Sequence, residues 1–142
     1  MITRVSPHEA QQLLEQGYLY LDVRSVPEFE QGHPAGAFNV PLLEVGPHGM
    51  EPNAAFMSVV ESSFPKDAKL VVGCRSGGRS LRAAEMMAAA GYGCVVDLRP
   101  GFGGARDPFG QLSEAGWEAA GLPVAHRAEP GRSYRDLASR AA

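Results

Sequence analysis

The stretch VVGCRSGGRS (71–80) places a single cysteine, Cys74, at the point where a short apolar run ends. Two arginines and two adjacent glycines follow within five positions, and the next run, LRAAEMMAAAGY (81–92), has the composition of a helix. In an open α/β sheet, ligands bind beyond the carboxyl ends of the strands. The stretch therefore predicts an α/β domain in which Cys74 lies at the functional edge of the sheet.

The remainder of the chain supports this fold class, because helices alternate with short apolar strands, a pattern that favours a mainly parallel sheet. Strands are predicted in YLYLDV (18–23), GAFNVPL (36–42), KLVVGC (69–74) and GCVVDL (93–98). Helices are predicted in VSPHEAQQLLEQG (5–17), SVPEFEQG (25–32), AAFMSVVESSF (54–64), RSLRAAEMMAAAG (79–91) and QLSEAGWEAAG (111–121). Loops are predicted in GPHGMEPN (46–53) and RPGFGGARDPFG (99–110), which are rich in glycine and proline.

The composition excludes several classes of function. With 142 residues, of which 44% are hydrophobic, the chain is long enough for one domain with a substantial core. Its 13 basic and 16 acidic residues give a net charge of −3, unlike the basic surface of a nucleic-acid-binding protein. No apolar run approaches the length of a membrane span, and the cysteines, histidines and carboxylates show no metal-ligand spacing. We therefore expect no nucleic acid, membrane, metal or cofactor.

The cysteine content and the start of the chain indicate a compartment. The two cysteines, Cys74 and Cys94, are too few for a disulfide framework. No basic and apolar leader opens the chain. We therefore expect a reducing, cytoplasmic location, in which Cys74 remains a free thiol.

The residues that follow Cys74 suit thiol chemistry. A helix N-terminus and neighbouring cations favour the thiolate, which is the reactive form of a cysteine. The two glycines leave backbone N–H groups free to turn inward and form an anion-binding nest. The two arginines add fixed positive charge, and the two serines add hydroxyl groups. The predicted anion-binding loop consists of Arg75, Ser76, Gly77, Gly78, Arg79 and Ser80.

A purely structural interpretation of Cys74 also has to be weighed, because an unpaired cysteine is often a small buried hydrophobic residue. Such a residue gains nothing from two arginines and a pair of glycines beside it, so the functional interpretation is favoured here. Cys94 is different, since it lies in the mainly apolar run GCVVDL (93–98). We expect Cys94 to be part of the core.

Three segments together resemble one protein family. The loop CRSGGRS (74–80) resembles the active-site loop of the rhodanese-like sulfurtransferases, and YLDVRSVPEFEQGHPAGAFNVPL (20–42) is similar to another hallmark of that family. GWEAAGLPV (116–124) is similar to the Trp-containing helix and exit of single rhodanese domains. The resemblance implies a rhodanese fold over residues 1–125. That fold is a five-stranded, mainly parallel sheet flanked by helices on both faces.

The resemblance also implies an enzyme of the thiosulfate:cyanide sulfurtransferase type. The Cys74 thiolate would attack the outer sulfur of thiosulfate or of a small persulfide, and a persulfide would remain on Cys74. The N–H groups of the loop would stabilise this persulfide, and Arg75 would dock the anionic sulfonate of the donor. A thiophilic acceptor would then take the sulfur. The expected partners are therefore a small sulfur donor and a thiol or protein acceptor, and the sequence predicts no particular oligomeric state.

Two other functions stay open at this point. In the first, the protein is a persulfide carrier, or binding module, that receives sulfur from one protein and delivers it to another. In the second, less favoured function, it is a phosphatase-like enzyme of related fold. Related phosphatases and arsenate reductases place five residues between the cysteine and the arginine of the loop, whereas Cys74 and Arg79 enclose only four. The smaller loop favours sulfur transfer.

Three residues outside the loop are expected to support it. Asp22 and Arg24 end a predicted strand on the same edge of the sheet as Cys74. Arg24 and Glu28 are four positions apart, a spacing that allows a pair on a helical turn. We expect Asp22, Arg24 and Glu28 to brace the loop rather than to contact substrate.

Two regions depart from the pattern of the family. The connection before Trp117, which we expect to be a core residue, is longer than usual, with an apparent insert at 105–115. This insert either rims the active site and selects an acceptor or is a longer surface connection. The resemblance does not cover residues 126–142, for which we predict a polar tail with at most one short helix (133–141).

Overall fold

The strand that precedes Cys74 is the middle strand of a five-stranded sheet in the computed structural model, which describes all 142 residues. The strands are β1 (Thr3–Val5), β2 (Leu19–Asp22), β3 (His33–Pro34), β4 (Phe38–Asn39), β5 (Leu43–Gly46), β6 (Gly49–Pro52), β7 (Lys69–Gly73), β8 (Cys94–Leu98), β9 (Ala105–Arg106), β10 (Leu112–Glu114) and β11 (Val124–Ala125). The helices are α1 (Pro7–Glu15), α2 (Val26–Glu30), α3 (Phe56–Ser63), α4 (Gly78–Ala89) and α5 (Tyr134–Ala141).

The central sheet has the strand order β1-β8-β7-β2-β4, and every neighbouring pair in it is parallel. The six remaining strands form three separate antiparallel pairs, β5 with β6, β9 with β10, and β3 with β11. All carboxyl ends of the central strands therefore meet at one edge. The predicted five-stranded parallel sheet is confirmed.

Both faces of the central sheet are covered, as the residues of β7 show. Leu70 and Val72 belong to a core cluster that includes residues of α3, α4 and α5, whereas Val71 points to the opposite cluster with Trp117. Because successive side chains of a strand point to opposite faces, a strand that is apolar throughout must be buried on both. The predicted core position of Trp117 is confirmed. None of the five helices combines the length and the apolar character that a membrane crossing requires.

Helices α1 and α2 begin in the same way. In each, a serine accepts a hydrogen bond from the backbone N–H of a glutamate three positions later, and the glutamate side chain accepts one from the serine N–H. The pairs are Ser6 with Glu9 and Ser25 with Glu28. This capping box satisfies N–H groups that a helix cannot pair internally. It places Glu28 at the edge of the sheet where Cys74 lies.

The C-terminal helix α5 packs against the domain. Leu137 is buried in the same core cluster as the residues of α3, and Asn53 Nδ2 donates a hydrogen bond to Tyr134 Oη over 3.1 Å. The segment predicted as a polar tail therefore ends in a helix that covers part of the core.

Two predicted elements are wrong. The helix predicted at 111–121 is replaced by β10 and a series of turns around Trp117, where the backbone passes very close to the glycine-rich loop. A Cβ on Gly116 would lie 2.4 Å from the backbone nitrogen of Gly104. The loop predicted at 46–53 is largely a hairpin formed by β5 and β6, in which Gly49 turns with a φ of 107°.

The predicted core position of Cys94 is also wrong, because its side chain is exposed. Cys94 is the first residue of β8 and pairs in register with Lys69, the first residue of β7, which is exposed as well. Strands that start at the same end of the sheet leave these first residues beyond the cover of the helices. Burial begins at the next residue, Val95.

Candidate active site

Cys74 follows β7 directly at the carboxyl edge of the sheet, and its side chain is only 1% exposed. The backbone N–H of Gly77 donates a hydrogen bond to Cys74 Sγ over 3.1 Å, and Sγ lies 3.3 Å from Ser80 Oγ. Helix α4 begins at Gly78. The partial positive charge of a helix N-terminus therefore lies beside the sulfur.

Gly77 is the one loop glycine that the surrounding structure requires. Its φ is 103°, a conformation that favours glycine. A Cβ at this position would lie 2.2 Å from the carbonyl oxygen of Arg99 and 2.8 Å from Arg4 Nη2. A Cβ on Gly78 would meet no atom within 4 Å. The backbone of Gly77 can therefore reach the sulfur only because no side chain is present.

A second backbone segment supports the loop from outside. The N–H of Phe102 donates to the carbonyl oxygen of Cys74 over 2.7 Å, and the N–H of Gly103 donates to that of Arg75 over 2.8 Å. A Cβ on Gly101 would lie 2.6 Å from the carbonyl carbon of Arg75. These contacts were not predicted, although the run of glycines in 99–110 was the signal for such a close approach.

Arg79, in the first turn of α4, pairs with Glu28 of α2. Arg79 Nη1 and Nη2 donate to Glu28 Oε1 and Oε2 over 2.8 and 3.1 Å. The hydrogen bonds with Glu28 raise the pKa of Arg79 further, so the guanidinium stays charged. The pair predicted between Arg24 and Glu28 is wrong, because Arg24 pairs with Asp22 instead.

Arg24 is buried and pairs with Asp22 at the end of β2. Its Nε and Nη2 donate to the Asp22 carboxylate, and Nη2 also donates to the carbonyl oxygen of Gly32 over 2.7 Å. The guanidinium carbon lies 4.4 Å from the centre of the Phe102 ring. The backbone N–H of Phe102 donates to the carbonyl oxygen of Cys74. Phe102 therefore connects the ion pair of Asp22 and Arg24 to the loop.

Two residues at the site were missed in the sequence. Asp97 of β8 is completely buried, accepts a hydrogen bond from Ser80 and pairs with Arg4 of β1. Arg4 Nε lies 2.8 Å from Asp97 Oδ2. A single carboxylate in the otherwise apolar run CVVDL (94–98) was a usable signal, since buried carboxylates need partners. Nothing in the sequence marked Arg4 as that partner.

Arg75 and Ser76 are exposed at the tip of the loop. Arg75 forms no ion pair within the chain. It lines three separate grooves, of about 240, 450 and 370 Å³. The first groove lies against Arg24 and Phe102, and the second against the β5–β6 hairpin. Arg75 is therefore the cation that an approaching anion would meet.

Two hairpins flank the loop and carry most of the exposed large hydrophobic residues. Val45 and Met50 face each other across β5 and β6, and both line the second groove with Arg75. The predicted insert forms the β9–β10 hairpin, in which Arg106 lines the third groove and Phe109, near the tip, is 89% exposed. Of the two alternatives for the insert, the rim of the candidate site is the one that the structure supports.

The arrangement suits a reaction in which sulfur becomes negatively charged. One N–H donor and a helix N-terminus converge on Cys74 Sγ, and the thiol itself donates to Ser80 Oγ. Groups fixed in this way stabilise developing charge without first having to reorganise. The thiol is enclosed, and Cys74 lines none of the three grooves next to Arg75.

Comparisons with known proteins agree on one family. The family model for the rhodanese-like domain matches residues 6–106. Thiosulfate sulfurtransferase 16, chloroplastic, from Arabidopsis thaliana is 40% identical over 120 residues, which are 84% of this chain and 90% of that protein. Rhodanese-like domain-containing protein 15, chloroplastic, from the same plant is 38% identical over 100 residues. That match covers 70% of this chain and only 55% of the relative.

A solved structure gives the same result. The crystal structure of Rv0390 from M. tuberculosis superposes with a TM-score of 0.74 at 27% sequence identity, and the match covers 88% of this chain and 98% of that protein. The likeness therefore extends over nearly the whole fold.

Proposed function

Because the chain belongs to the rhodanese-like domain family, we propose that it is a sulfurtransferase that carries sulfane sulfur as a persulfide on Cys74. The observation that carries this proposal is the contact between Gly77 N–H and Cys74 Sγ, at the end of a parallel strand and the start of a helix. The name of the relative that matches over 90% of its length, a thiosulfate sulfurtransferase, supports the same class of reaction.

The proposed reaction has two balanced steps. In the first, the Cys74 thiolate attacks the outer sulfur of thiosulfate, a new S–S bond forms, and sulfite leaves with the electron pair of the broken S–S bond. In the second, an acceptor nucleophile attacks the outer sulfur of the Cys74 persulfide, and the Cys74 thiolate is regenerated. No external oxidant or reductant is needed, since the sulfane sulfur keeps its oxidation state. Covalent catalysis divides the transfer in this way.

The loop residues have distinct roles in this proposal. The N–H of Gly77 stabilises the sulfur anion, and Arg75 docks the negatively charged part of the donor in one of its grooves. Asp22, Arg24 and Glu28 hold the loop in place without contacting substrate. Ser76, Gly78, Arg79 and Ser80 complete the loop.

Delivery of the sulfur to a protein is a second candidate function. The exposed side chains of Val45 and Met50 line a groove with Arg75, and Phe109 is exposed near the tip of the other hairpin. Clustered apolar residues at the surface mark sites of protein contact. A small thiol would need only Arg75 in order to bind. The apolar hairpins therefore favour a protein acceptor. In that case the protein would turn over poorly with cyanide but would still form the persulfide.

The proposed chemistry requires a compartment in which Cys74 stays reduced. The cytoplasmic location stays a prediction from the sequence, and the two plant relatives are chloroplastic by name. Either location is compatible with a free thiol.

Intact-protein mass spectrometry after incubation with thiosulfate tests the proposal. We expect one added sulfur on the wild-type protein and on Cys94→Ser, and none on Cys74→Ser. Cyanide should remove the added sulfur and form thiocyanate. If wild-type protein gains no sulfur from thiosulfate or from glutathione persulfide, the proposed function is wrong. If sulfur is gained but cyanide turnover is slow, delivery to a protein acceptor becomes the better description.

A further inference from the structure

The buried carboxylate of Asp97 has no task in the two proposed steps, yet it is connected to the sulfur. Asp97 lies on β8 in register with Val72 of β7, two residues before Cys74. Ser80 Oγ donates a hydrogen bond to Asp97 Oδ1, and Arg4 Nε donates to Asp97 Oδ2 over 2.8 Å. A continuous chain of contacts therefore runs from Arg4 through Asp97 and Ser80 to the thiol.

The direction of these hydrogen bonds follows from the number of protons. Ser80 has a single hydroxyl proton, and its two possible acceptors are the Asp97 carboxylate and the carbonyl oxygen of Gly77 at 3.4 Å. A carboxylate is the stronger acceptor, so the proton points to Asp97. A lone pair of Ser80 Oγ then faces Cys74 Sγ at 3.3 Å, and the thiol can donate to it.

We propose that Ser80 and Asp97 form a proton relay that deprotonates Cys74. The S–H bond of Cys74 breaks and its proton moves to Ser80 Oγ, while the original hydroxyl proton of Ser80 moves to Asp97 Oδ1. The negative charge passes from Asp97 to the sulfur, and the number of protons in the site stays constant. The proposal rests on the proposed function in one respect, that Cys74 is the reacting thiol.

The surroundings of Asp97 support its role as proton acceptor. Burial raises the pKa of Asp97, whereas hydrogen bonds from Ser80 and Arg4 and the charge of Arg99 act in the opposite direction. The net shift is upward, so protonation of this carboxylate is easier than in water. The ion pair with Arg4 keeps the carboxylate charged until a proton arrives.

The groups that face the sulfur complete the electrostatic picture. The hydrogen bonds to Glu28 raise the pKa of Arg79 and burial raises the pKa of Tyr20, and a negative charge on Cys74 adds to both shifts. Arg4 Nη2 also donates to the carbonyl oxygen of Gly77 over 3.3 Å, so it links the acid pair to the loop. In this relay Ser80 is a catalytic residue because it touches the reacting sulfur. Asp97 and Arg4 are positioning residues that act through it.

The pH dependence of Cys74 alkylation tests the relay without any sulfur donor. The full-length protein with Cys94→Ser, in which Cys74 is the only thiol, is treated with iodoacetamide at a series of pH values. Because the relay keeps the number of protons constant, the thiolate that it forms should react at a rate that does not change with pH above the titration of Asp97 and below the midpoint of the curve. Asp97→Asn should lose this pH-independent part of the curve, and Ser80→Ala should lower its rate by about tenfold, as for loss of one hydrogen bond. Ser80→Thr keeps the hydroxyl group and should keep the wild-type curve.

The shape of the rate curve separates the relay from a simple charge effect. If Asp97 acted only as a nearby negative charge, its removal would move the midpoint to lower pH, and the wild-type curve would have no pH-independent part. A wild-type rate that falls tenfold for each pH unit below the midpoint, as in Asp97→Asn, overturns the proposal. So does equal behaviour of Ser80→Ala and Ser80→Thr, a comparison that decides the matter if Asp97→Asn does not fold. If only the relay is wrong, wild-type protein still gains one sulfur from thiosulfate. If the proposed function is wrong, it gains none.

Discussion

Glu28 Oε1 lies 2.8 Å from Arg79 Nη1 and at the same time accepts hydrogen bonds from the backbone and hydroxyl of Ser25. One carboxylate thus closes the capping box of α2 and fixes the first turn of α4, the helix that starts beside Cys74. Burial alone would raise the pKa of Glu28, but the hydrogen bonds from Arg79 and Ser25 lower it to about 2. The candidate loop is therefore held by an interaction that is sensitive to acid.

Glu28→Gln should lose stability in a way that depends on pH. The pKa of Glu28 is depressed from 4.5 in the folded protein, so its contribution is present above pH 4.5 and is lost as the pH falls towards 2. We expect the free energy of unfolding to fall by about 1–2 kcal/mol at pH 6, after allowance for the partial exposure of the pair. The difference from wild type should shrink by pH 3.

Urea unfolding at the two pH values measures this difference. Glu61→Gln is a matched control, because the pair of Glu61 and Lys66 is half-exposed and should contribute little at either pH. A loss in Glu28→Gln that is equal at pH 6 and pH 3 would show that packing, and not the charge, is responsible.

Arg75→Ala should raise KM for thiosulfate and leave kcat nearly unchanged, because the side chain lines the grooves without touching Cys74 Sγ. Loss of one charge-assisted hydrogen bond corresponds to a rise of about tenfold or more. Arg82→Ala removes an equally exposed arginine from α4 and should have no effect. Steady-state kinetics with cyanide as acceptor gives both constants, and an unchanged KM would rule out donor docking by Arg75.

Tyr20→Phe should stabilise the protein. The hydroxyl of Tyr20 is buried without a hydrogen-bond partner, and its ring packs against the edge of Trp117. Removal of a buried and unpaired polar group avoids its desolvation penalty, so we expect the free energy of unfolding to rise by about 1 kcal/mol. Denaturant unfolding at neutral pH measures the change. A clear loss of stability would mean that the hydroxyl is hydrogen-bonded in solution.

Cys94→Ser should fold and react like the wild type, because the thiol is exposed at the start of β8. Exposed substitutions usually change stability by less than about 0.5 kcal/mol. Thermal unfolding and sulfur loading by mass spectrometry test the two halves of this prediction. Lost loading in a stably folded variant would assign Cys94 a part in the reaction.

A double variant of the β5–β6 hairpin separates the two kinds of acceptor. Val45→Ser with Met50→Ser removes the apolar wall of the groove next to Arg75, so transfer to a protein acceptor should fall by about tenfold, as for loss of one or two apolar contacts. Transfer to cyanide should not change. Met86→Ser is the control, since Met86 is an exposed methionine on α4. Equal loss with both acceptors would contradict a docking role of the hairpin.

The sequence predicted those parts of the molecule whose signals are local. The apolar run before Cys74 and the glycines after it lie within ten residues, and they predicted the strand, the loop and the helix in the right order. The mainly parallel sheet followed from the alternation of helices and short strands, whereas the five strands and the helices on both faces followed from the resemblance to the family.

The errors concern pairs of residues that are distant in sequence, and residues with two possible partners at suitable spacing. Arg24 had Asp22 and Glu28 within reach, and spacing alone could not show that Glu28 would be taken by Arg79, 51 positions away. Arg4 and Asp97 are 93 positions apart and meet only because β1 lies beside β8. Trp117 had the sequence context of a helix, but the close passage of Gly116 past Gly104 favours turns.

The position of β1 in the sheet determines how late in synthesis the candidate active site is completed. The first strand of the chain joins the sheet beside β8, and Thr3 pairs in register with Val96. During synthesis the N-terminal strand must wait until more than two thirds of the chain has been made before its partner exists. Contacts between such distant segments form late and slowly. A chain made only as far as Ala89 can therefore contain the cysteine strand and its helix, but the buried carboxylate behind the thiol acquires its arginine only when β1 pairs with β8.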